Sequence, residues 1–433
     1  MKTFLTYIAF VCSMTVLAQQ TPASKQTKDI AIIGATAHIG NGNTINNSTI
    51  ILSEGKIVNI VDSDVVKLNL TNVDVINAGG KHVYPGFILP NSTMGLVEID
   101  AVKASDDEKE MGAWNPHIRS LIAYNAESKV IETLRPNGVL IGQITPQGGR
   151  ISGTSSIVQF DAWNWEDAAI KVDDAIHLNW PSNFSSSHAF FSNTRTEISA
   201  NEKYDAQIKE IETYFKNAIA YSNGDKQPVN LPFAALENIF RGTQKLFIHV
   251  NEEKGIIDAV NFIKTFQLNN VVIVGAKEAY KTADILKENN IPVVLNRVHS
   301  LPDSDDNDYN LPYKTARLLV NQGVTVCLDS SGDMERMSSR NLPFYAGTTV
   351  TYGLSKEQAL QLITLNAAKV LGIDTDYGSL EKGKSATLFI SEGDALDMKT
   401  NNISHAFIDG RQISLETHQT ELWKRYSKKL KNQ

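Results

Sequence analysis

Pro85-Gly-Phe-Ile-Leu-Pro-Asn-Ser-Thr93 is the seam of this chain. It continues out of Gly79-Gly-Lys-His-Val-Tyr84, completes an apolar run from Val83 to Leu89, and ends in three small polar residues, Asn91, Ser92 and Thr93. Upstream, apolar residues come in short alternating bursts between turn dipeptides. Downstream, longer apolar strands alternate with amphipathic helices. A buried strand that ends in polar side chains at such a change of style is where a barrel would start and where its mouth would begin.

Working back from the seam, Ile30-Ala-Ile-Ile33, Thr49-Ile-Ile-Leu52 and Lys56-Ile-Val-Asn-Ile-Val61 alternate as half-buried strands do, with turns at Gly40-Asn-Gly42 and Glu54-Gly55. Working forward, strands are predicted at Val139–Thr145, Ser156–Phe160, Leu246–Val250, Val271–Val274, Pro292–Asn296 and Val324–Leu328. Helices are predicted at Gln207–Ala220, Glu253–Phe266, Ala276–Glu288, Tyr313–Gln322 and Lys356–Leu365. Buried β-branched strands alternating with helices imply a parallel sheet, and the number of repeats favours closure. Short strands return at Ala386–Ile390 and His405–Ile408, the latter turning at Asp409-Gly410. The fold class is therefore α/β, a (β/α)8 TIM-like barrel with a small β-sandwich built from both ends of the chain. The predicted division is a signal peptide over 1–18, a disordered leader over 19–28, sandwich over 29–84 and 367–414, barrel over 85–366, and a C-terminal helix over 415–433. That helix carries Leu422, Trp423, Tyr426 and Leu430 along one side. Packing on the body is the favoured use of such a stripe, with membrane contact as the competitor.

The 433 residues suffice for a large core, and 42% of them are apolar. A formal charge of -7 argues against nucleic acid as the main partner. Lys2, the apolar run Phe4–Leu17 and Val16-Leu-Ala18 read as an export signal cut near Ala18, which places the protein in a periplasm or outside the cell. The run falls short of the roughly 20 residues a membrane span needs. Cys12 lies within it, so cleavage leaves Cys327 alone and no intrachain disulfide. The expected partner is a small molecule, with self-association left open.

The seam resembles the amidohydrolase superfamily, where this place reads Pro-Gly-Phe-Ile-Asp-x-His-x-His. Leu246-Phe-Ile-His-Val250 resembles its fifth barrel strand, Thr364-Leu-Asn-Ala-Ala-Lys-Val-Leu-Gly372 its "T-x-N-x-A-x-x-L-G" helix, and Gly378-Ser-Leu-Glu-Lys-Gly-Lys-Ser-Ala-Thr387 its "G-S-I-x-x-G-K-x-A-D" turn. The resemblance is to the imidazolonepropionase-related branch. It implies a hydrolase of non-peptide C–N bonds, in a cyclic or side-chain amide, with a divalent metal such as zinc at the barrel mouth. The departures fall on the ligands. Asn91 and Thr93 stand at the two histidine positions and Leu89 at the aspartate; Gly275 or a neighbour stands at the sixth-strand histidine. The eighth strand, which in the family ends Gly-Thr-Asp, here matches Asp329-Ser330-Ser331, so Asp329 and Asp333 are each displaced by two residues, about 6.6 Å along a strand. Neutral Asn and Thr are poor ligands for such a metal, and a catalytic site needs about three good ones. No two of the nine histidines are closer in sequence than His177 and His188. The cofactor is thus unknown, with His249 the one surviving candidate ligand. His249 is equally a candidate general base with Asp329 as its partner, or a histidine merely hydrogen-bonded in the mouth. A non-catalytic binding protein of the same fold is the alternative to a hydrolase.

The glycine-rich stretch Thr145–Thr154 offers Gln147 and Arg150 as substrate contacts at a strand end, beside Asn91, Thr93 and Asn296. The plainer reading of Arg150 is a solvent-facing side chain on a tight connection. Asp161-Ala-Trp-Asn-Trp-Glu-Asp167 offers Asp161 and Glu166 as an acid–base pair, against the favoured reading that its tryptophans pack a loop. Asp303-Ser-Asp-Asp-Asn-Asp308 lacks the glycine and glutamate of a calcium loop and reads as a solvated acidic turn. Cys327, in an apolar strand, gives no support to nucleophilic catalysis.

Overall fold

A computed structural model describes residues 21–186, 198–303, 306–332 and 334–431. The predicted export signal with Cys12, His188 and Asp333 lie outside the described residues. Strands β1 (Ile30–His38), β2 (Thr44–Ser53) and β3 (Lys56–Asp62) form an antiparallel meander. Glu54 and Gly55 both take positive φ at the β2–β3 turn, which matches the twist of a two-residue hairpin. Strands β4 (Asp74–Asn77) and β5 (His82–Pro85) then run parallel to β1.

At Gly86 the chain passes from this sheet into the barrel. A Cβ there would lie 2.9 Å from the Thr387 side chain and 3.0 Å from that of Leu140, so glycine allows the two bodies to meet at the seam. The barrel sheet runs in the order β6 (Phe87–Ser92), β7 (Val139–Ile144), β8 (Ile151–Gln159), β9 (Ala169–Asn179), then β12 to β15. A short ribbon of β10 (Phe184–Ser186) and β11 (Ile198–Ala200) precedes β12 (Lys245–Val250), β13 (Val271–Gly275), β14 (Val293–Leu295) and β15 (Val326–Leu328). The sheet curls until both edges meet one segment: Ile88 N–H donates to Ile363 O at 2.9 Å and Leu328 N–H to Leu362 O at 3.2 Å. The helix Leu365–Leu371 plugs the barrel below, with Ala367, Val370 and Leu371 against Ile88, Phe247 and Cys327.

One strand breaks the parallel pattern. β8 runs antiparallel to β7 and β9, beginning at Ile151 inside the stretch read as a glycine-rich loop and ending at Gln159. β9 was not predicted, because its first half, Ala169 to Asp173, is only partly buried and rich in charge. After the barrel, β16 (Leu388–Ser391), β17 (Ile403–Ile408) and β18 (Arg411–Gln412) join the first sheet through β5. Strands from both ends of the chain thus make one eight-stranded sheet around its own core of Ile32, Ile50, Val83, Leu388 and Phe407. It curls on itself, since Ile57 N–H reaches Lys384 O and Ala386 N–H reaches Gly55 O, each at 2.8 Å.

Asp161 ties the parts together and is no member of an acid–base pair. It is buried, accepts from Arg135 at 3.0 Å and Arg411 at 2.8 Å, and accepts the Ala23 N–H at 2.9 Å. Glu166 is exposed, Trp165 packs against the core and Trp163 stays outside. The described part of the leader, 21–28, forms no helix or strand yet is fastened rather than disordered: besides Ala23, Gln26 bonds Leu52 O and the Gly55 N–H. In the acidic turn Asp303 pairs with Lys277 and Asp308 with Lys314. The C-terminal helix His418–Lys431 differs from the favoured expectation. Trp423, Tyr426 and Leu430 are 68%, 58% and 69% exposed, so its stripe does not pack on the body.

Candidate functional site

The carboxyl ends of β6, β9, β12 and β15 converge on a buried polar network. It starts at the seam, where the register of β6 against β7 shifts between Leu89 and Ser92 and Asn91 takes φ 49°. Asparagine tolerates that left-handed conformation better than most side chains. The kink aims its amide across the mouth: Asn91 Nδ2 donates to Asp329 Oδ2 at 2.7 Å, while Asn91 N–H donates to Gln143 Oε1 at 3.0 Å. Asn91 Oδ1 is buried and has no hydrogen-bond partner.

Asp329 follows β15 directly and is fully buried, so its two-residue displacement in the motif does not take it out of the mouth. Ser331 Oγ also donates to it, at 2.8 Å. Burial pushes its carboxyl up to about 7, against the pull of Asn91, Ser331 and the Arg297 charge. Beside it sits Glu335, which opens the one-turn helix Glu335–Ser338. Its Oε1 accepts the Thr93 N–H at 2.8 Å and its Oε2 the Thr93 hydroxyl at 3.1 Å. Burial raises this carboxyl too, to about 7, and the neighbouring Asp329 charge adds to the rise. Arg336 holds the other side of Thr93, donating to its Oγ1 at 3.0 Å, and pairs with Glu108 and Asp100. Both seam residues, Asn91 and Thr93, therefore serve as clamps on carboxylates.

On the opposite wall His249 is half-buried on β12, but its partner is not Asp329. Its Nε2 lies 2.9 Å from His177 Nδ1 on β9, and His177 Nε2 lies 2.9 Å from Ser155 Oγ. Ser155 donates to Asp174 at 2.7 Å, and Gln143 Nε2 reaches the same carboxylate at 2.9 Å. The chain of contacts thus runs from His249 through His177, Ser155, Asp174 and Gln143 to Asn91 and Asp329. Burial lowers His249 to about 4 and holds His177 well below the usual imidazole range. His177, Asp174, Gln143 and Glu335 were missed by the sequence reading. Alternation gave no signal for the pair on β9, because residues three apart fall on opposite faces of a regular strand, and here Asp173 breaks the regularity with φ 53°.

The remaining predicted contacts divide. Arg150 is half-buried and spends one N–H on Asn179 O at 2.7 Å, gripping its own chain. Gln147 is half-buried in a loop whose backbone is fixed to Glu108. Asn296 borders a cleft of about 600 Å³ at the ends of β12, β13 and β14, with Asn251, Glu252, Lys277 and Arg297. Arg297 joins the cleft to the buried network, since its charge is felt at Asp329.

A family-type metal does not fit these residues. Among the described residues no group of three His, Cys, Asp or Glu side chains could hold one. The two imidazoles face each other, and Asp329 is turned to an amide donor. The sixth-strand position cannot take a histidine as the backbone stands: Gly275 has φ 90°, and a Cβ there would lie 2.5 Å from Asn251 Oδ1.

Comparison with known proteins agrees with this fold. The profile of the Amidohydrolase family matches residues 188–413, just over half of the chain. The imidazolonepropionase of Flavobacterium psychrophilum is 24% identical over 187 residues, 39% of this chain and 46% of that protein. That of Thermoplasma volcanium is 26% identical over 244 residues, 52% of this chain and 56% of that protein. The chain therefore spans about half the length of these relatives. The crystal structure of an amidohydrolase from Thermotoga maritima superposes with a TM-score of 0.76 at 22% identity, covering 89% of this chain and 99% of that one. The chain belongs to the amidohydrolase family.

Proposed function

We propose that this amidohydrolase-family protein hydrolyses a non-peptide C–N bond, in a cyclic or side-chain amide, without the family's metal. The observation that supports this reading is Asp329 at the end of β15, buried yet poised to ionise near neutral pH beside a second such carboxyl. A base whose proton affinity lies near the working pH suits the removal of a proton from water. In this reading the substrate carbonyl lies between the cleft and Asp329. Water adds to its carbon as Asp329 takes the water's proton. The C–N bond then breaks, and the proton passes to the leaving nitrogen. Asn91 fixes the carboxylate that acts, and Thr93 fixes Glu335. Asn296 and Arg297 line the approach to them.

The test is product formation across a panel of cyclic amides. Asp329→Asn should cut turnover by about 10²- to 10⁴-fold while cooperative unfolding persists, and His249→Ala tests whether the histidine takes part. Turnover retained in His249→Ala would remove that histidine from the mechanism. A second reading, a non-catalytic small-molecule-binding protein, is favoured by one observation: most polar groups of the mouth are already bonded to each other. A ligand that raises the melting temperature and is never consumed would decide for it.

A further inference from the structure

The C-terminal helix His418–Lys431 stands apart from the network and carries an independent feature. At about 100° per residue, Leu422, Tyr426, Leu430 and Trp423 fall within an arc of about 100°. Lys429 and Arg425 border one edge of that arc, Lys428 and Lys424 lie further round the opposite face with Glu421 among them, and Lys424 pairs with Glu416. The first turn is anchored to the body: Thr417 is buried, Leu415 packs against the core, and the His418 N–H donates to Glu132 Oε1 at 2.8 Å. Beyond that turn the apolar stripe is open, with Trp423 and Leu430 each about two-thirds exposed.

We propose that this helix lays its Trp423–Tyr426–Leu430 face into an anionic lipid surface. Three arguments single out that occupant. The helix concentrates cations in a chain whose net charge is -7, so the surface it meets should be anionic. Lys429 and Arg425 border one edge of the apolar arc, where they can contact headgroups while the arc enters the acyl boundary. Tryptophan and tyrosine, which are apolar with one polar atom, suit that boundary. No helix among the described residues is long and apolar enough to cross a membrane, so the contact is peripheral and reversible.

The experiment is co-sedimentation of the whole protein with vesicles of phosphatidylcholine alone and of phosphatidylcholine with about a third phosphatidylglycerol. Binding is expected only to the anionic vesicles, and it should weaken as salt is raised. Arg425→Gln, Lys428→Gln and Lys429→Gln together should cut partitioning by about a hundredfold, at the usual worth of a basic residue near such a surface. Trp423→Ala, Tyr426→Ala and Leu430→Ala together should abolish it. These side chains are exposed, so unchanged melting in both variants shows that folding is intact. Native protein that stays in solution with anionic vesicles overturns the proposal, as does binding unaffected by either variant. Self-association in the absence of lipid, lost in the triple alanine variant and with no vesicle binding, also overturns it, because the face then belongs to a second copy.

Discussion

The two walls of the barrel mouth solve the same problem in opposite ways. On β9 and β12, burial pushes two imidazoles down, so that both are neutral near pH 7. Beyond β15, burial pushes two carboxyls up to about 7. One physical cause, the cost of charge away from water, leaves the histidine wall fixed and the carboxyl wall titrating in the physiological range. A metal would reverse the second outcome, because a cation holds neighbouring carboxylates ionised. The difference teaches that the mouth is built around protons. The histidines serve as a neutral hydrogen-bonded brace, and the carboxyls are the groups able to exchange.

The strongest way to break this comparison is Asp329→Asn. It keeps the shape and an acceptor for Asn91 but removes the base, and turnover should fall by about 10²- to 10⁴-fold. The native pH profile of kcat/KM should rise through about 7, where Asp329 loses its proton, and the residual activity of the variant should lack that limb. A limb that survives the substitution would assign the titration elsewhere.

Stability offers the second test, and the two walls should act with opposite sign. Asp329 and Glu335 are raised above their unfolded values, so the stability they contribute is complete below pH 4 and is lost as pH rises through about 7. His249 is depressed, so its contribution is present above pH 6.5 and is lost as pH falls through about 4. Removing the titrating carboxyl in Asp329→Asn should therefore favour the variant, relative to the native protein, by on the order of 2 kcal/mol more at pH 8 than at pH 5. Urea denaturation at the two pH values measures this directly. No difference between the two pH values would mean that Asp329 is already ionised in the fold at pH 5.

A smaller effect probes the clamp on the second carboxyl. Thr93→Val removes the hydroxyl that Glu335 and Arg336 share and leaves the Thr93 N–H in place. The loss should be about 1–2 kcal/mol, the usual cost of leaving a buried polar group less satisfied. Thermal unfolding would show it. No loss would mean that Glu335 and Arg336 close on each other when the hydroxyl is gone.

How much of this was legible in the sequence follows from the range of each signal. The barrel and the two-ended sheet were readable because strand–helix alternation and turn pairs such as Glu54-Gly55 are local. The antiparallel β8 was not, since a buried strand of Ser, Gly and Thr carries no mark of its direction. Asp329, Asn91 and Thr93 were readable as residues at strand ends, Asn91 and Thr93 as substituted ligand positions and Asp329 as a displaced one. Their roles were not, because Asn91 meets Asp329 across 238 positions of chain and Thr93 meets Glu335 across 242. His177 was invisible for a related reason: its partner is 72 positions away on a neighbouring strand, where no spacing rule reaches. Arg150 shows the converse error, a cation at a strand end that spends its charge on its own backbone.

The smallest expected effect is the one that separates this mouth from a metal site altogether. A ligand held only by the folded state adds about 2.7 kcal/mol at a hundredfold excess over its Kd, which is several degrees of melting temperature even in a large domain. With imidazoles bonded to each other and Asp329 bonded to Asn91, zinc or manganese at such concentrations should move the melting temperature by no more than about 1 °C, because no ligand set stands ready to gain that energy. Chelation should leave turnover unchanged. Elemental analysis of the purified protein should find far less than one metal per chain, and the same in His249→Ala. One equivalent in the native protein, absent from that variant, would mean that His249 leaves His177 to bind it. The carboxyl wall would then have to be ionised, so the two walls would no longer differ in the way burial alone requires.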